Sequence, residues 1–474
     1  MLAWGFLKKE RTPAVCCLMK IDKATILKFD KPGPRYTSYP TAPEWSEQVN
    51  ALTYHTKLAQ FGQNQKTLSL YVHIPFCESL CYFCGCTMNV RKTEQQYGDE
   101  YLNHLEKEID LVAYHIKSKP IIRQLHWGGG TPSFLTEEQM TRLYQKIAGT
   151  FDIDTSGEIA IEVDPRRVTR SKVETLRSLG FNRISIGLQD FDTDVQHHVN
   201  RIQPFAMVQQ FNEWCRAVNF ASINFDLIYG LPYQTTSSFA VTVDQVLSLR
   251  PDRIALYSFA YVPWLKKHQN KLDEKKLPST DQKLEIFLDA RNAFLKNGYQ
   301  AIAMDHFALK EDELSCAFNQ GTLHRNFMGY TVKPADEYIG VGPSAIGFLE
   351  KTFFQNYKTI PEYYRFLQQG QLPIERGKEL SIDDNIRQWV IKSLICQFAI
   401  DKKVFAKNFQ IDFDDYFGYE QQHLQKCLND GLIELDEQRI RITDLGKIFV
   451  RNICMGFDWY LRQEKSHQRF SKTV

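Results

Sequence analysis

From about residue 67 to residue 304, apolar and polar positions repeat a strand-then-helix rhythm. Strands are predicted at TLSLYVHI (67–74), IIRQLHW (121–127), EIAIEVD (158–164), NRISIGL (182–188), SINFDLI (222–228) and RIALYSF (253–259). YQAIAM (299–304) is a candidate seventh strand that would close the series. Between them, Leu102, Leu105, Ile109, Val112 and Ile116 recur at helical 3-4-3-4 spacing. A further helix opens at Thr136 with Gln139 three residues on, the capping-box pattern. Another carries Val173, Leu176 and Leu179 and stops at Gly180. Alternating strands and helices imply a parallel sheet, because parallel strands need crossovers. Six units predict an α/β fold of a partial, TIM-like (β/α)6 kind instead of the closed eightfold barrel.

The strands carry a second signal. Ile159, Ile161 and Val163 share one face of their strand, and Ala160, Glu162 and Asp164 the other. In the next strand Ile184, Ile186 and Leu188 oppose Arg183, Ser185, Gly187 and Gln189; in the one after, Ile223, Phe225 and Leu227 oppose Ser222, Asn224 and Asp226. An ordinary barrel lumen is filled with branched apolar residues, so this polar face implies either a half-exposed antiparallel sheet or a lumen that holds a polar ligand.

After about residue 305 the rhythm fails. The segment 304–347 is rich in Gly, His and Arg, reads as irregular, and is too long for an idle connector. Beyond 360 a helical pattern dominates, with a hairpin expected near 434–443. Prolines in KPGPRYTSYPTAPEW (31–45) deny it a helix, and its aromatics set it apart from disordered chain. The expected division is an N-terminal extension over residues 1–52 that covers the active site, a barrel with its irregular sequel over 53–359, and a mostly helical C-terminal domain over 360–474.

Composition narrows the class. The 474 residues are 43% hydrophobic and 24% charged, those of a globular protein, and the net charge of +2 offers no basic excess for nucleic acid. No apolar run is long enough to span a membrane. The first residues place apolar before basic positions, the wrong order for a secretory leader, so a cytoplasmic location is expected. Near-neutral charge and the absence of heptads fit a monomer. The eleven cysteines are odd in number and too dilute for a disulfide scaffold. Four of them, Cys77, Cys81, Cys84 and Cys86, crowd into ten residues directly after the first strand. Parallel α/β folds place their chemistry at such a strand end.

Structural zinc prefers two separated cysteine pairs, which C-x3-C-x2-C-x-C fits poorly. An iron–sulfur cluster suits closely spaced thiolates. If three cysteines bind a [4Fe–4S] cluster, one iron stays open to another ligand. The glycine run Gly128-Gly129-Gly130 after the second strand is either a tight turn or a place where backbone approaches a ligand closely.

Cys77-x3-Cys81-x2-Cys84, with Phe83 before the last cysteine, resembles the radical S-adenosylmethionine superfamily. PGPRYTSYPTA (32–42), LYVHIPFC and CYFCGC (70–77 and 81–86), HWGGGTP (126–132), IEVDPR (161–166), GFNRISIGLQDF (180–191), FDLIYGLP (225–232), MDHFA (304–308), LHRNF (323–327), GPSAIG (342–347) and RNICMGFDWYLR (451–462) together resemble the oxygen-independent coproporphyrinogen III oxidase family. A related haem-chaperone branch looks different in the RYTSYP segment, at Cys86 and in the RNICM segment. The resemblance runs from about residue 28 to the C-terminus.

The resemblance implies oxidative decarboxylation of two propionates of coproporphyrinogen III to vinyl groups, giving protoporphyrinogen IX. A 5′-deoxyadenosyl radical would take the unactivated β-hydrogen, which no ordinary base removes. It implies Cys77, Cys81 and Cys84 as cluster ligands. Tyr71, Gly129, Glu162 and Ile346 would contact the S-adenosylmethionine at the cluster, with Tyr71 and Glu162 also expected as catalytic residues. Phe83, Gly130, Thr131, Gln189, Arg201, Asp226 and Ala260 would contact a second S-adenosylmethionine. Arg35, His306 and Arg325 are expected to meet substrate carboxylates, the alternative being structural ion pairs or caps. An electron donor and an electron acceptor are required, neither identified by sequence. Met328 stands where relatives often carry Gln, and Cys86 receives no iron. Cys16 and Cys17 precede the resemblance, and Met19 is an alternative start.

Overall fold

In a computed structural model, residues 21, 23–64, 66–92, 95–463 and 470–472 are described; Cys16, Cys17 and Met19 lie outside them. A twelve-stranded sheet dominates. Its first six strands in sequence are β1 (Leu68–Ile74), β2 (Ile121–Gly129), β3 (Asp152–Val163), β4 (Arg183–Gln189), β5 (Ser222–Tyr229) and β6 (Arg253–Ser258). They lie side by side in that order, every neighbouring pair parallel. The helices between them form where the stripes predict. Gln95–Ile116 buries Leu102, Leu105, Ile109, Val112 and Ile116. Glu137–Thr150 starts at Thr136, whose hydroxyl and the Gln139 side chain cap each other's backbone N–H. Arg170–Ser178 ends just before Gly180, which takes a positive φ of +100°.

The expected seventh barrel strand is absent. β7 (Tyr299–Ile302) pairs antiparallel with β8 (His306–Leu309), which turns back antiparallel on β6. Ala303, at φ +50°, begins the tight reversal between them, so the chain cannot make another crossover here. The segment read as irregular instead extends the sheet at the opposite edge. β9 (Glu337–Val341) adds parallel to β1, followed by antiparallel β10 (Ile346–Leu349), β11 (Thr352–Asn356) and β12 (Ile374–Glu379). β8, β9 and β10 are only four or five residues long, too short for an alternation of side chains to register.

Between the two readings of the polar strand faces, the lumen holds. Ile159, Ile161, Ile184, Ile186, Ile223 and Phe225 are buried in the main core. Glu162, Arg183, Ser185, Asn224 and Asp226 line an internal cavity of about 150 Å³. At its lower end Arg183 pairs with Glu158 at 3.0 Å and Arg253 with Asp312 at 2.9 Å, and Thr331 donates to Glu158. Paired charges occupy the place that branched apolar layers take in other barrels.

The last part of the chain is mostly helical, with a small antiparallel sheet of Ala399–Asp401, Arg439–Ile442 and Ile433–Leu435 that contains the expected hairpin. It pins the N-terminal extension: Tyr36 donates to Asp458 at 3.0 Å, Gln388 to the Tyr39 carbonyl at 2.8 Å and Arg451 to the Pro34 carbonyl at 3.0 Å. Truncating the outer, apolar face of a barrel strand should hurt most: Ile186→Ala is expected to cost about 2–5 kcal/mol, read as a lower urea midpoint at unchanged slope.

Candidate active site

The cysteine loop leaves β1 and lies over the C-terminal ends of β2 to β5. Cys77, Cys81 and Cys84 open onto one cavity of about 180 Å³, together with Phe83, Gly129, Gly130, Thr131, Glu162, Gln189, Arg201 and Asp226. Eleven of the residues expected at the cluster and cofactors therefore line one cavity. Glu162, Ser185 and Asp226 also face the lumen cavity below, so the two spaces meet at these three residues.

The glycine run fixes the loop by close approach. A Cβ on Gly128 would lie 2.9 Å from the Glu162 carboxylate, one on Gly129 2.7 Å from the His73 ring, and one on Gly130 2.7 Å from the Phe76 carbonyl oxygen. Gly129 also has φ +113°, which other residues rarely adopt. Its N–H donates to Glu162 Oε2 at 3.3 Å, and Glu162 Oε1 lies 3.1 Å from His126 Nε2. The Tyr71 hydroxyl lies 3.1 Å from His73 Nδ1, and His73 Nε2 lies 2.9 Å from the Thr87 carbonyl oxygen. The second half of the cysteine loop is thus tied back to β1.

Polar and cationic side chains approach the thiols, while burial pushes the free Cys77 thiol up to about 12. The Cys77 sulfur lies 3.3 Å from the Thr131 hydroxyl. Arg201 and Arg166 reach the Cys81 sulfur at 3.6 and 3.9 Å. Both arginines also hold Asp164, at 3.3 and 2.6 Å. Burial alone would raise the Asp164 carboxyl, but Arg201 and Arg166 bring it down to about 2. Asp226 accepts from Asn224 Nδ2 at 2.8 Å and from the Ser185 hydroxyl at 3.2 Å. Burial and the nearby Glu162 charge push it up to about 6 despite these bonds.

Three cysteines lining one cavity, flanked by cations and close backbone, fit an iron–sulfur cluster with an open position. Among the described residues no three His, Cys, Asp or Glu donors converge on a single ion point. A cluster of several irons takes thiolates farther apart than one zinc ion does. Cys86 lines the same cavity and hydrogen-bonds to Cys84.

The remaining expected residues are dispersed. Tyr71 sits behind Glu162, its ring stacked against His126 at 5.9 Å. Ile346 opens β10, with its carbonyl 2.5 Å from where a Cβ on Gly340 would lie. Ala260 lies two residues past β6, on the wall of a neighbouring hollow. Arg35 and His306 both engage Asp305, each at 2.7 Å, while Arg325 donates to the backbone carbonyls of Arg35 and Tyr36 at 3.1 and 3.0 Å. The three expected substrate cations therefore form one group. Burial opposes the Asp305 charge, but His306 and Arg35 hold its carboxyl well below the usual range. His73, His126, Asp164 and Arg166 were not singled out from the sequence. They lie inside quoted motifs, but an isolated polar residue carries no spacing signal.

A parallel partial barrel whose strand ends surround Cys-x3-Cys-x2-Cys defines a radical S-adenosylmethionine enzyme, and the radical SAM superfamily model matches residues 71–246. The model of the HemN C-terminal domain matches residues 380–449. The chain is 43% identical to the oxygen-independent coproporphyrinogen III oxidase of Escherichia coli K12, over 96% of this chain and 98% of that one. It is 43% identical to the Synechocystis oxidase of the same name, over 94% and 97%. The solved structure of the Escherichia coli enzyme, described there as a radical SAM enzyme, superposes with a TM-score of 0.88 at 41% identity, covering 94% of this chain and all of that one. The chain belongs to the oxygen-independent coproporphyrinogen III oxidase family.

Asp164 should show itself as an acid-labile element. Its folded value lies below the ordinary 3.8, so its contribution is complete above about pH 4 and is lost as pH falls through about 2. Asp164→Asn should remove that dependence and cost about 3–5 kcal/mol by leaving two arginines unpaired, measured by urea unfolding across this range.

Proposed function

We propose that this chain carries out the reaction for which its family is named. It would convert two propionate side chains of coproporphyrinogen III to vinyl groups, giving protoporphyrinogen IX in oxygen-independent haem biosynthesis. The observation that carries this reading is the single cavity onto which Cys77, Cys81 and Cys84, the glycine run, Glu162 and Asp226 all open. Cys77, Cys81 and Cys84 would hold a [4Fe–4S] cluster, and its open iron would take S-adenosylmethionine. When bound, the reduced cluster and S-adenosylmethionine supply a carbon radical able to take the unactivated β-hydrogen of a propionate. The propionate then loses CO₂ and one electron to become a vinyl group.

The protein's part is to place and shield. Tyr71, Gly129, Glu162 and Ile346 would hold the cofactor at the cluster. The tie from Gly129 N–H to Glu162 and from Glu162 to His126 keeps a carboxylate and a backbone dipole aimed at one place. Phe83, Gly130, Thr131, Gln189, Arg201, Asp226 and Ala260 would hold a second molecule, with the Asp226 carboxylate suited to ribose hydroxyls. Arg166 and Arg201 offset the negative charge that three thiolates bring into a buried loop. Within the N-terminal extension of 1–52, the described residues from 23 onward would cover the barrel of 53–359. The mostly helical 360–474 holds that cover through Asp458, Gln388 and Arg451. Arg35, His306 and Arg325 would face substrate carboxylates from beneath it.

One protein or cofactor must donate an electron to the cluster and another must accept the substrate's. No described helix is long and apolar enough to cross a membrane; we read the chain as a cytoplasmic monomer.

Anaerobically reconstituted protein is expected to form protoporphyrinogen IX and 5′-deoxyadenosine from coproporphyrinogen III and to release CO₂; absence of CO₂ release would overturn the assignment. A second expectation concerns Asp226, which is raised to about 6 and so loses its charge as pH falls through that value. S-adenosylmethionine affinity should fall by up to about tenfold per pH unit below 6. In Asp226→Asn the affinity should be weaker and flat with pH, as equilibrium binding would show.

A further inference from the structure

Beside the radical cavity, beyond Ala260, lies a second hollow of about 450 Å³. Its wall is mainly apolar, built by Phe259, Ala260, Tyr261 and Trp264 after β6, with Pro32 of the N-terminal extension and Phe470 near the C-terminus. Trp264 is 58% exposed. A single exposed ring on a convex surface is ordinary, but an indole set in a concave aromatic wall is suited to a ligand. The hollow is also coupled to the chemistry. The Gln269 amide donates to the Ala260 carbonyl at 3.1 Å and to the Phe83 carbonyl at 3.2 Å, holding this wall and the cysteine loop as one unit.

Its polar edge is cationic. Lys283 and Lys472 line the hollow, and Lys283 is deliberately aimed. Its stem lies against Gly230, where φ is +89° and a Cβ would stand 2.6 Å from Lys283 Cε. Its ammonium donates to the Phe259 carbonyl at 3.1 Å and lies 5.8 Å from the centre of the Tyr229 ring. Arg35, Arg451 and Lys472 bear on it from the surrounding elements, with Asp30 on the opposing side. Lys472 pairs with Asp30 at 2.7 Å, and Arg35 with Asp305. Burial and the neighbouring cations bring Lys283 down to about 8.

We propose that this hollow seats one carboxylate-bearing pyrrole ring of the substrate, the ring against Trp264, Tyr261 and Phe259 and the carboxylate toward Lys283 and Lys472. The inference rests on the activity proposed above. It accounts for a flat apolar body and an anion being recognised at one place, with the rest of the macrocycle reaching past Ala260 to the radical cavity.

The test uses the full chain and two fluorescent probes, coproporphyrin III and its uncharged tetramethyl ester. Trp264→Ala should weaken both probes about tenfold, and Lys283→Met should weaken only the acid, with Lys283→Arg restoring it. The KM for coproporphyrinogen III should rise in parallel, while that for S-adenosylmethionine stays within twofold. Binding of coproporphyrin III within twofold of the parent in both Trp264→Ala and Lys283→Met would overturn the seat. Failure of the underlying activity is a separate result, read as no protoporphyrinogen IX from the parent, and would remove the premise.

Discussion

The contact on which this molecule turns is the near-touching of backbone and side chain at Gly128, Gly129 and Gly130. A Cβ at Gly129 or Gly130 would collide with the His73 ring or the Phe76 carbonyl, and one at Gly128 would press on the Glu162 carboxylate. Through these contacts the end of β2 grips both ends of the site: the start of the cysteine loop on β1 and the carboxylate on β3. The thiols then need few further constraints. Thr131 meets Cys77, and the two arginines anchored on Asp164 meet Cys81. Close approach replaces side-chain bulk, which leaves the space above the strand ends open for cofactor.

That economy has a counterpart below. A barrel that must present carboxylates and amides at its mouth cannot fill its lumen with valine and isoleucine. Burying charges is unfavourable unless they are paired, and the lower lumen is accordingly closed by Arg183 with Glu158 and by Arg253 with Asp312. Stability resides on the outer face of the strands, where the apolar alternate positions pack under the helices. The C-terminal part adds a different element of order. It pins the proline-rich N-terminal extension close to Asp305 and the mouth of the barrel.

The sequence was most legible where a pattern repeats. Six parallel strands stand out because each is long enough to alternate, and the polar half of that alternation correctly pointed to a lined lumen. β9 escaped notice because five residues, EYIGV, in a glycine-rich stretch give no period, although it carries the parallel sheet past β1. YQAIAM looked like a barrel strand because strand propensity says nothing about direction; only the reversal after Ile302 settles that. In the site, the cysteines were readable from spacing and the glycines from their place after a strand. Asp164, Arg166 and His73 were not, because their meaning lies in contacts across the fold. Arg201 meets Asp164 across 37 positions of sequence, and Arg35 meets Asp305 across 270.

The proposed chemistry depends on three protein thiolates leaving one iron for S-adenosylmethionine. Its most direct measurement is electron–nuclear double resonance on the reduced, reconstituted protein with S-adenosylmethionine labelled by ¹⁵N at the amino group and ¹⁷O at the carboxylate. Hyperfine coupling from both labels to the cluster is expected, at an intensity that Cys86→Ser leaves unchanged. No coupling from either label, or coupling that appears only when Cys86 is removed, would mean a fourth protein ligand closes the cluster and would contradict it.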